Sequence, residues 1–538
     1  LLQSQVDLAL QALQGACTEN GRFNPHLLDR HQLVAYELAF CAAELAATDA
    51  IDEYASRVGD GDELVAAVTQ AASAELLQSV CQRLQTRASA MGLAPAKLAA
   101  VIGGEPLAAF LQQWQSPERL AAIGETILAR GEFRLPTGLD EEKEMVRSSF
   151  ARFSREAVEP VAAAVHRQDL DVPESLIEAA AALGCFGSSI PQRYAGLQPD
   201  DRSDSLSMIV ITEELSRASL GAAGSLVTRP EIAARALLAG GTQSQCGYWL
   251  PRLARAESLA AIAVTEPDCG SDVAAVTLRA TPTAGGWLLD GSKTWCTFAG
   301  RADLLLTLAR TGPEPGPGHR GLSLFLVEKP VFAGHEFQAT QADGGQLTGR
   351  AIATLGYRGM HSYDLHFDNY FVPDAGLLGD VAGRGFYHIM AGFAGGRIQT
   401  AARATGVMQA AFDQAAAYAA QRRVFGAPVG DYQLTRVKLA RMLSSLTAAR
   451  QFSYSVARLL DDGGGQMEAS LVKLFSCRAA EWVTREAMQI HGGMGYAEET
   501  SVSRYFVDAR VLSIFEGAEE TLALKVIARE LVAGAGGR

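Results

Sequence analysis

The stretch VLSIFEGAEE (511–520) carries an apolar run straight into an acid, Glu516, and then Gly517. A carboxylate at the edge of a core is costly unless it is paired, protonated or used. Two readings follow. Glu516, Glu519 and Glu520 could open a helix and complement its dipole. Or the acid is put to use, which this stretch alone does not decide. Other stretches offer binding chemistry. In AVTEPDCGSD (263–272) an apolar strand runs into a loop where Thr265 offers a hydroxyl. There Gly270 and Ser271 let a ligand approach the backbone N–H groups. In KTWCTFAG (293–300), Trp295 and Thr297 are two residues apart, so a regular strand would put both on one face, as a wall for a planar cofactor. In AAQRRVFGAPVGDYQ (419–433) a helix breaks at Gly426 and Pro428, and the guanidinium forks of Arg422 and Arg423 suit a pyrophosphate. MQIHGGMGYAEE (488–499) is a glycine-rich turn between helical stretches. It does not follow a strand, so it is not the opening of a Rossmann unit. GSKT (291–294) lacks the earlier glycine of a phosphate loop.

These groups need elements to hold them. Residues 1–138 read as helices, with apolar residues three and four apart in HQLVAYELAFCAAELAATDAI. RGEFRLPTGLDEEKE, with Pro136 and Gly138, marks a break. Residues 139–258 are again helical. From 259 to 378 the period becomes strand-like, with Asp290-Gly291 as a hairpin signal and YDLHFDNYFVP alternating until Pro373. Residues 379–538 return to helix. The order is a helical extension, a helical domain, a β domain and a C-terminal helical domain, an α+β arrangement. HQLVAYELAFCAAELAA (31–47) also aligns without gaps on YQLTRVKLARMLSSLTA (432–448), a pairing that amphipathic Ala/Leu helices reach easily by chance.

The totals limit the choices. A chain of 538 residues suggests three or four domains, and a net charge of −13 argues against a nucleic-acid binder. No apolar run reads as a clean membrane span, and the first residues lack the pattern of a signal peptide. The eight cysteines form no CxxC pair, which suits reduced thiols in the cytoplasm. The nine histidines show no HExxH, and no metal site is expected.

Four separated stretches, in order, resemble the acyl-CoA dehydrogenase family of flavoenzymes over about residues 140–538. TEPDCGSD resembles the family's TEPxxGSD, and GSKTWCTFAG its GxKxWIT. GRIQTAARATGVMQAAFDQAAAYAAQRRVFG and QIHGGMGYAEETSVSRYFVDARVLSIFEG resemble its two C-terminal signatures. The resemblance implies a homo-oligomer, dimer or tetramer, with FAD between the β domain and the C-terminal helices. It implies that Thr265 and Thr297 bond the flavin ring, that Trp295 packs on it, and that Gly270 and Ser271 lie near the cofactor and the CoA chain. Arg422, Phe425, Gln433, Gln489, Gly492 and Gly493 would hold the adenine dinucleotide, largely that of a neighbouring subunit. Arg397 would lie at the CoA-binding face. Glu516 falls on the catalytic Glu, which takes the α-proton of an acyl thioester while the β-hydrogen leaves as hydride. The Glu's own backbone N–H and a flavin ribityl hydroxyl would stabilise the thioester oxygen.

Some residues depart from the pattern. Ala518 stands where Thr is usual, Val507 replaces the Arg of RDAR, and Cys269 and Cys296 replace Ala/Gly and Ile. The first 138 residues have no counterpart in ordinary members. That extension, with HRGLSLFLVEKP and LGYRGMHSYDLHFDNYFVP, points to a branch acting on a branched dicarboxylic acyl thioester. Such a carboxylate needs a cation where it is buried. Arg229, in SLVTRPEIAARALLAGG (225–241), is the first candidate and Arg358 the second. The implied electron acceptor is an electron-transfer flavoprotein. The alternatives are another short or branched acyl-CoA, an oxidase or monooxygenase using O₂, or an inactive flavoprotein that serves as a binding module.

Overall fold

The computed structural model describes residues 1–58, 61–131, 133–312 and 318–534. They form two compact units, Leu1–Glu144 with Thr400–Arg538, and Met145–Gln399.

Among its described residues the first unit is built of helices and loops with two pairs of two-residue strands, Thr18–Glu19 with Arg22–Phe23 and Arg423–Val424 with Ala427–Pro428. Its helices start and stop where the side chains dictate. Asp62 accepts from the N–H groups of Leu64 and Val65 and so caps Glu63–Arg87. Ser116 caps Pro117–Arg130, Pro117 supplies the preset first turn, and Gly131 ends the helix at φ 66°. By length and composition Glu63–Arg87 could cross a membrane, yet 61% of its most apolar window is buried inside the fold. It is a core helix here.

The extension and the C-terminal helices build one core. Gln32–Val58 and Glu63–Arg87 pack on each other, and both pack on Gln433–Asp461. Leu38, Ile51, Val68 and Leu84 are sealed from solvent, and each such aliphatic side chain contributes about 1.5–3 kcal/mol when fully buried. Pro117–Arg130 approaches Gln433–Asp461 so closely that a Cβ on Gly124 would lie 2.2 Å from the Arg436 carbonyl oxygen. The two halves of the internal echo fall on Gln32–Val58 and Gln433–Asp461, helices that touch.

In the second unit helices including Ser205–Ala218, Thr228–Gly240 and Gln243–Ala254 precede an eight-stranded sheet. Its order is Ala260–Ala263, Leu304–Arg310, Arg279–Thr283, Gly286–Thr297, Ser362–Pro373, Gln346–Ala351, Glu336–Thr340, and Leu322–Glu328 also pairs with Leu304–Arg310. Leu304–Arg310 is buried at every position, whereas Ser362–Pro373 begins with alternating burial.

One expectation is corrected. Asp290-Gly291 is not a hairpin turn, because Gly286–Thr297 runs straight through it. The turn is Ala284-Gly285, with Gly285 at φ 78°. Gly291, at φ 133°, sits where the pairing with Ser362–Pro373 shifts register, and a Cβ there would lie 3.1 Å from the Leu278 Cα. The glycine serves an irregularity inside the strand.

Candidate active site

The second unit holds the strand-borne groups. Lys293, 1% exposed, sends its Nζ to Glu266 Oε1 at 2.8 Å and to the Val264 carbonyl at 2.9 Å. Glu266 also accepts from the N–H groups of Thr277 and Leu278 and from the Thr277 hydroxyl, at 2.7–2.8 Å. Burial pushes the Lys293 ammonium down, against the pull of Glu266. Burial would raise the Glu266 carboxyl, but Lys293 and the three donors hold it below its usual range. This buried pair ties the loop carrying Thr265, Gly270 and Ser271 to the strand carrying Trp295 and Thr297, and the Thr294 N–H adds a bond to the Thr265 carbonyl at 2.9 Å. The sequence reading missed the pair. Its signal was a lysine inside an apolar strand, which must find a partner.

The strand is irregular where it matters. Trp295 is left-handed at φ 57° and Phe298 at φ 70°, and the Phe298 N–H is held by the Met360 and His361 carbonyls at 2.9 and 2.7 Å. Trp295 is 56% exposed while Thr297 is buried. Trp295 and Thr297 thus do not share a face as a regular strand would require, because period two does not carry through a left-handed residue. The Thr297 hydroxyl lies 2.9 Å from that of Ser362.

Arg229, in the first turn of Thr228–Gly240, is buried rather than on the surface. Burial pushes the thiol of Cys296, between Trp295 and Thr297, up to about 12, with the charge of Lys293 and then, more weakly, that of Arg229 opposing the rise. Arg358 is engaged otherwise. It donates to the Thr354 and His166 carbonyls at 3.1 and 3.0 Å and lies 3.7 Å from Asp169. Arg397 is half-buried. Nearby, His361 sits between Asp171, 3.1 Å from Nδ1, and Asp169, 3.2 Å from Nε2. His335 stacks edge-on to it at 4.3 Å. The ligand atoms of Asp169, His335 and His361 lie within 4.8 Å of one another.

The first unit holds the remaining groups. Arg422 precedes the tight hairpin of Arg423–Val424 and Ala427–Pro428, and Phe425 lies in its turn, fully exposed at φ 48°. Gln433 is the first residue of Gln433–Asp461, and Gln489 lies near the end of Gln466–His491. Both are exposed, and Gly492 and Gly493 have open space where a side chain would stand. Glu516 is half-buried in the turn between Ser501–Leu512 and the helix that begins at Glu519. Glu519 and Glu520 occupy that helix's first turn, so the dipole role is theirs and Glu516 stands outside it. Glu516 is left-handed at φ 53°, and Gly517 follows at φ 101°. Such backbone persists in a non-glycine residue only when its surroundings over-determine it. Lys473, 1% exposed, donates to the Gly517 carbonyl at 2.6 Å. Burial lowers the Lys473 pKa, and Cys477 and Glu516 pull against that fall.

These residues fit FAD. Trp295 is an exposed ring on an otherwise buried strand end, and Thr265 and Thr297 carry hydroxyls of the kind that bond a heteroaromatic ring. Exposed guanidinium and amide donors beside side-chain-free backbone suit a pyrophosphate. A flavin-dependent oxidoreductase is the class that this fold and these groups define.

Comparison with known proteins agrees. Residues 140–257, 261–370 and 383–532 match the N-terminal, middle and C-terminal domains of acyl-CoA dehydrogenase. The chain is 37% identical to the (2S)-methylsuccinyl-CoA dehydrogenase of Cereibacter sphaeroides, over 99% of this chain and 96% of that one. The structure of butyryl-CoA dehydrogenase from Megasphaera elsdenii matches with a TM-score of 0.67 and 29% identity, over 74% of this chain and 100% of that one. A glutaryl-CoA dehydrogenase from Mycobacterium smegmatis in complex with FADH2 matches with a TM-score of 0.64 and 25% identity, over 73% and 95%. The chain belongs to the acyl-CoA dehydrogenase family. It is an FAD-dependent oxidoreductase acting on an acyl-CoA.

Proposed function

We propose that the chain oxidises (2S)-methylsuccinyl-CoA to mesaconyl-CoA, the step that the ethylmalonyl-CoA pathway of acetate assimilation requires. The observation that carries this reading is likeness to a (2S)-methylsuccinyl-CoA dehydrogenase through the extension as well as the three family domains. The burial of Arg229 adds to it: a cation held inside the fold suits a second carboxylate on the acyl chain.

Bound FAD supplies the hydride acceptor for the β-hydrogen. Glu516 takes the α-proton onto its carboxylate, the C–H electron pair becomes the new C=C bond, and the Glu516 backbone N–H steadies the thioester oxygen. Trp295, Thr265 and Thr297 orient the cofactor ring, and Arg397 and Ser271 attend the CoA chain. Electrons pass on to an electron-transfer flavoprotein. The same reading includes a homodimer or homotetramer, in which the fully exposed Phe425 would be covered by a neighbouring copy. Eight buried, unpaired cysteines support a reducing compartment, the cytoplasm.

The test is anaerobic bleaching of the flavin by both methylsuccinyl-CoA enantiomers, succinyl-CoA, butyryl-CoA and isovaleryl-CoA. Fastest bleaching by the (2S) isomer is expected. Fastest bleaching by a monocarboxylic thioester would overturn the assignment. Replacing Arg229 with Leu should raise KM for the dicarboxylic substrate about tenfold or more while leaving that for butyryl-CoA nearly unchanged, because only the former leaves a buried charge unpaired. Equal effects would remove Arg229 from the substrate site.

A further inference from the structure

The extension reaches the turn that carries Glu516. Tyr36, on Gln32–Val58, donates its hydroxyl to Glu519 Oε1 at 2.5 Å, across 483 positions of sequence. Arg478 completes the knot, with Nε 3.0 Å from Glu519 Oε2, Nη2 bonded to Oε1, and Nη2 2.8 Å from the Tyr36 hydroxyl. The Glu519 side chain is 12% exposed while that of Arg478 is 54% exposed. The carboxylate is therefore the enclosed partner, and it needs its donors more. The Tyr36 ring lies 5.0 Å from that of Phe40, over which Arg478 also sits at 5.4 Å. Asp29, just before the same helix, pairs with Lys525 beyond the turn.

The rest of the turn is fastened from other directions. The Ser513 hydroxyl bonds Glu481, and the Glu519 N–H reaches the Ser513 carbonyl at 3.0 Å. Lys473 holds the Gly517 carbonyl, and the Arg403 guanidinium lies 4.7 Å from the Phe515 ring centre. The C-terminal helices thus hold Ser513, Phe515 and Gly517. At Glu519, three residues past the base and on the far side of two left-handed residues, the extension adds its own donor.

We propose that Tyr36 is a positioning residue for Glu516, acting through Glu519, and that the extension is thereby part of the proton-abstracting apparatus. The inference rests on Glu516 being the base. Without the phenol, Glu519 and the exposed Arg478 can swing toward solvent, and the left-handed pair at 516–517 loses a fixed end. A base needs hydrogen-bond reach and alignment to its proton, and small displacements are amplified in rate.

The test uses the full-length FAD-loaded enzyme with its best acyl-CoA and an α-deuterated form of it. Tyr36→Phe, which removes one oxygen from a half-buried site, should lower kcat about tenfold, since a misplacement of about 1 Å can cost 10²-fold. KM and FAD content should stay within about twofold, and the α-deuterium isotope effect on kcat should rise because proton removal becomes limiting. Tyr54→Phe is the control. It deletes another extension hydroxyl, bonded to the Pro136 carbonyl at 2.5 Å and serving no part of the turn, and it should leave kcat and the isotope effect unchanged. Glu516→Gln separates the two readings. If it retains activity, the base assignment falls. If it is inactive while Tyr36→Phe turns over like wild type, or while Tyr54→Phe slows turnover equally, the base stands and the role of Tyr36 falls.

Discussion

The turn at Glu516 and the strand end at Trp295 both hold a functional residue in left-handed backbone, at φ 53° and 57°, but by different means. At Trp295 the holders sit just beyond strand ends: the Met360 and His361 carbonyls on the Phe298 N–H, the Thr265 carbonyl on the Thr294 N–H, and Glu266 paired with Lys293. At Glu516 the holders are side chains from distant helices, among them Tyr36 of the extension. The cofactor wall is thus a product of register, and the base a product of docking. The two should fail separately.

The sharpest break is at the base. Glu516→Gln should lose about 10²–10⁴-fold in turnover, the span of a general base, yet remain yellow with stoichiometric FAD by absorbance. Loss of FAD in that variant would mean that the two regions are not independent. The reverse break is Glu266→Gln. It leaves the Lys293 ammonium buried against a neutral amide, which costs about 3–5 kcal/mol. Thermal denaturation should show a large loss of stability, and dialysis should show FAD leaving. If FAD holds as in wild type, the pair is not what ties the loop to the strand. The smallest effect is at His361, whose carbonyl holds the Phe298 N–H. Burial would lower its pKa, but the hydrogen bonds and charges of Asp171 and Asp169 raise it above the ordinary value. Its contribution is therefore complete below about pH 6.5, the unfolded pKa, and is lost as pH rises through the higher folded pKa. Lys329, which burial pushes down to about 7, works in the opposite sense. The measurement is accordingly the difference in Tm between wild type and His361→Gln from pH 6 to 9, which should shrink as pH rises. A difference that does not change with pH would mean that the imidazolium is not what the two aspartates hold.

Much of this was legible in the sequence because local rules decide it. The strand Ser362–Pro373 shows in its alternation, and the helix-opening role of Glu519 and Glu520 shows in their acids after an apolar run. Period two failed at Trp295 because a positive φ cannot be read from residue types there, and Asp290-Gly291 misled because a strand irregularity uses the same glycine as a turn. The Glu266–Lys293 pair had a local sign, a lysine in an apolar strand. Tyr36 had none. Its partner is set by how helices dock, and a tyrosine on an amphipathic helix looks the same whether it meets solvent or Glu519.

That the first unit is assembled from both flanks of the chain has a consequence during synthesis. Leu2 and Val6 share a core with Ala528 and Val532, and residues 145–399, the whole second unit, are made in between. At about 5–20 residues per second, the extension waits on the order of tens of seconds for its partners. The apolar positions that face those late helices are bare meanwhile, so nascent chains should depend on holding chaperones. A ribosome-stalled chain ending before residue 510 would carry the strand-borne cofactor wall but no base.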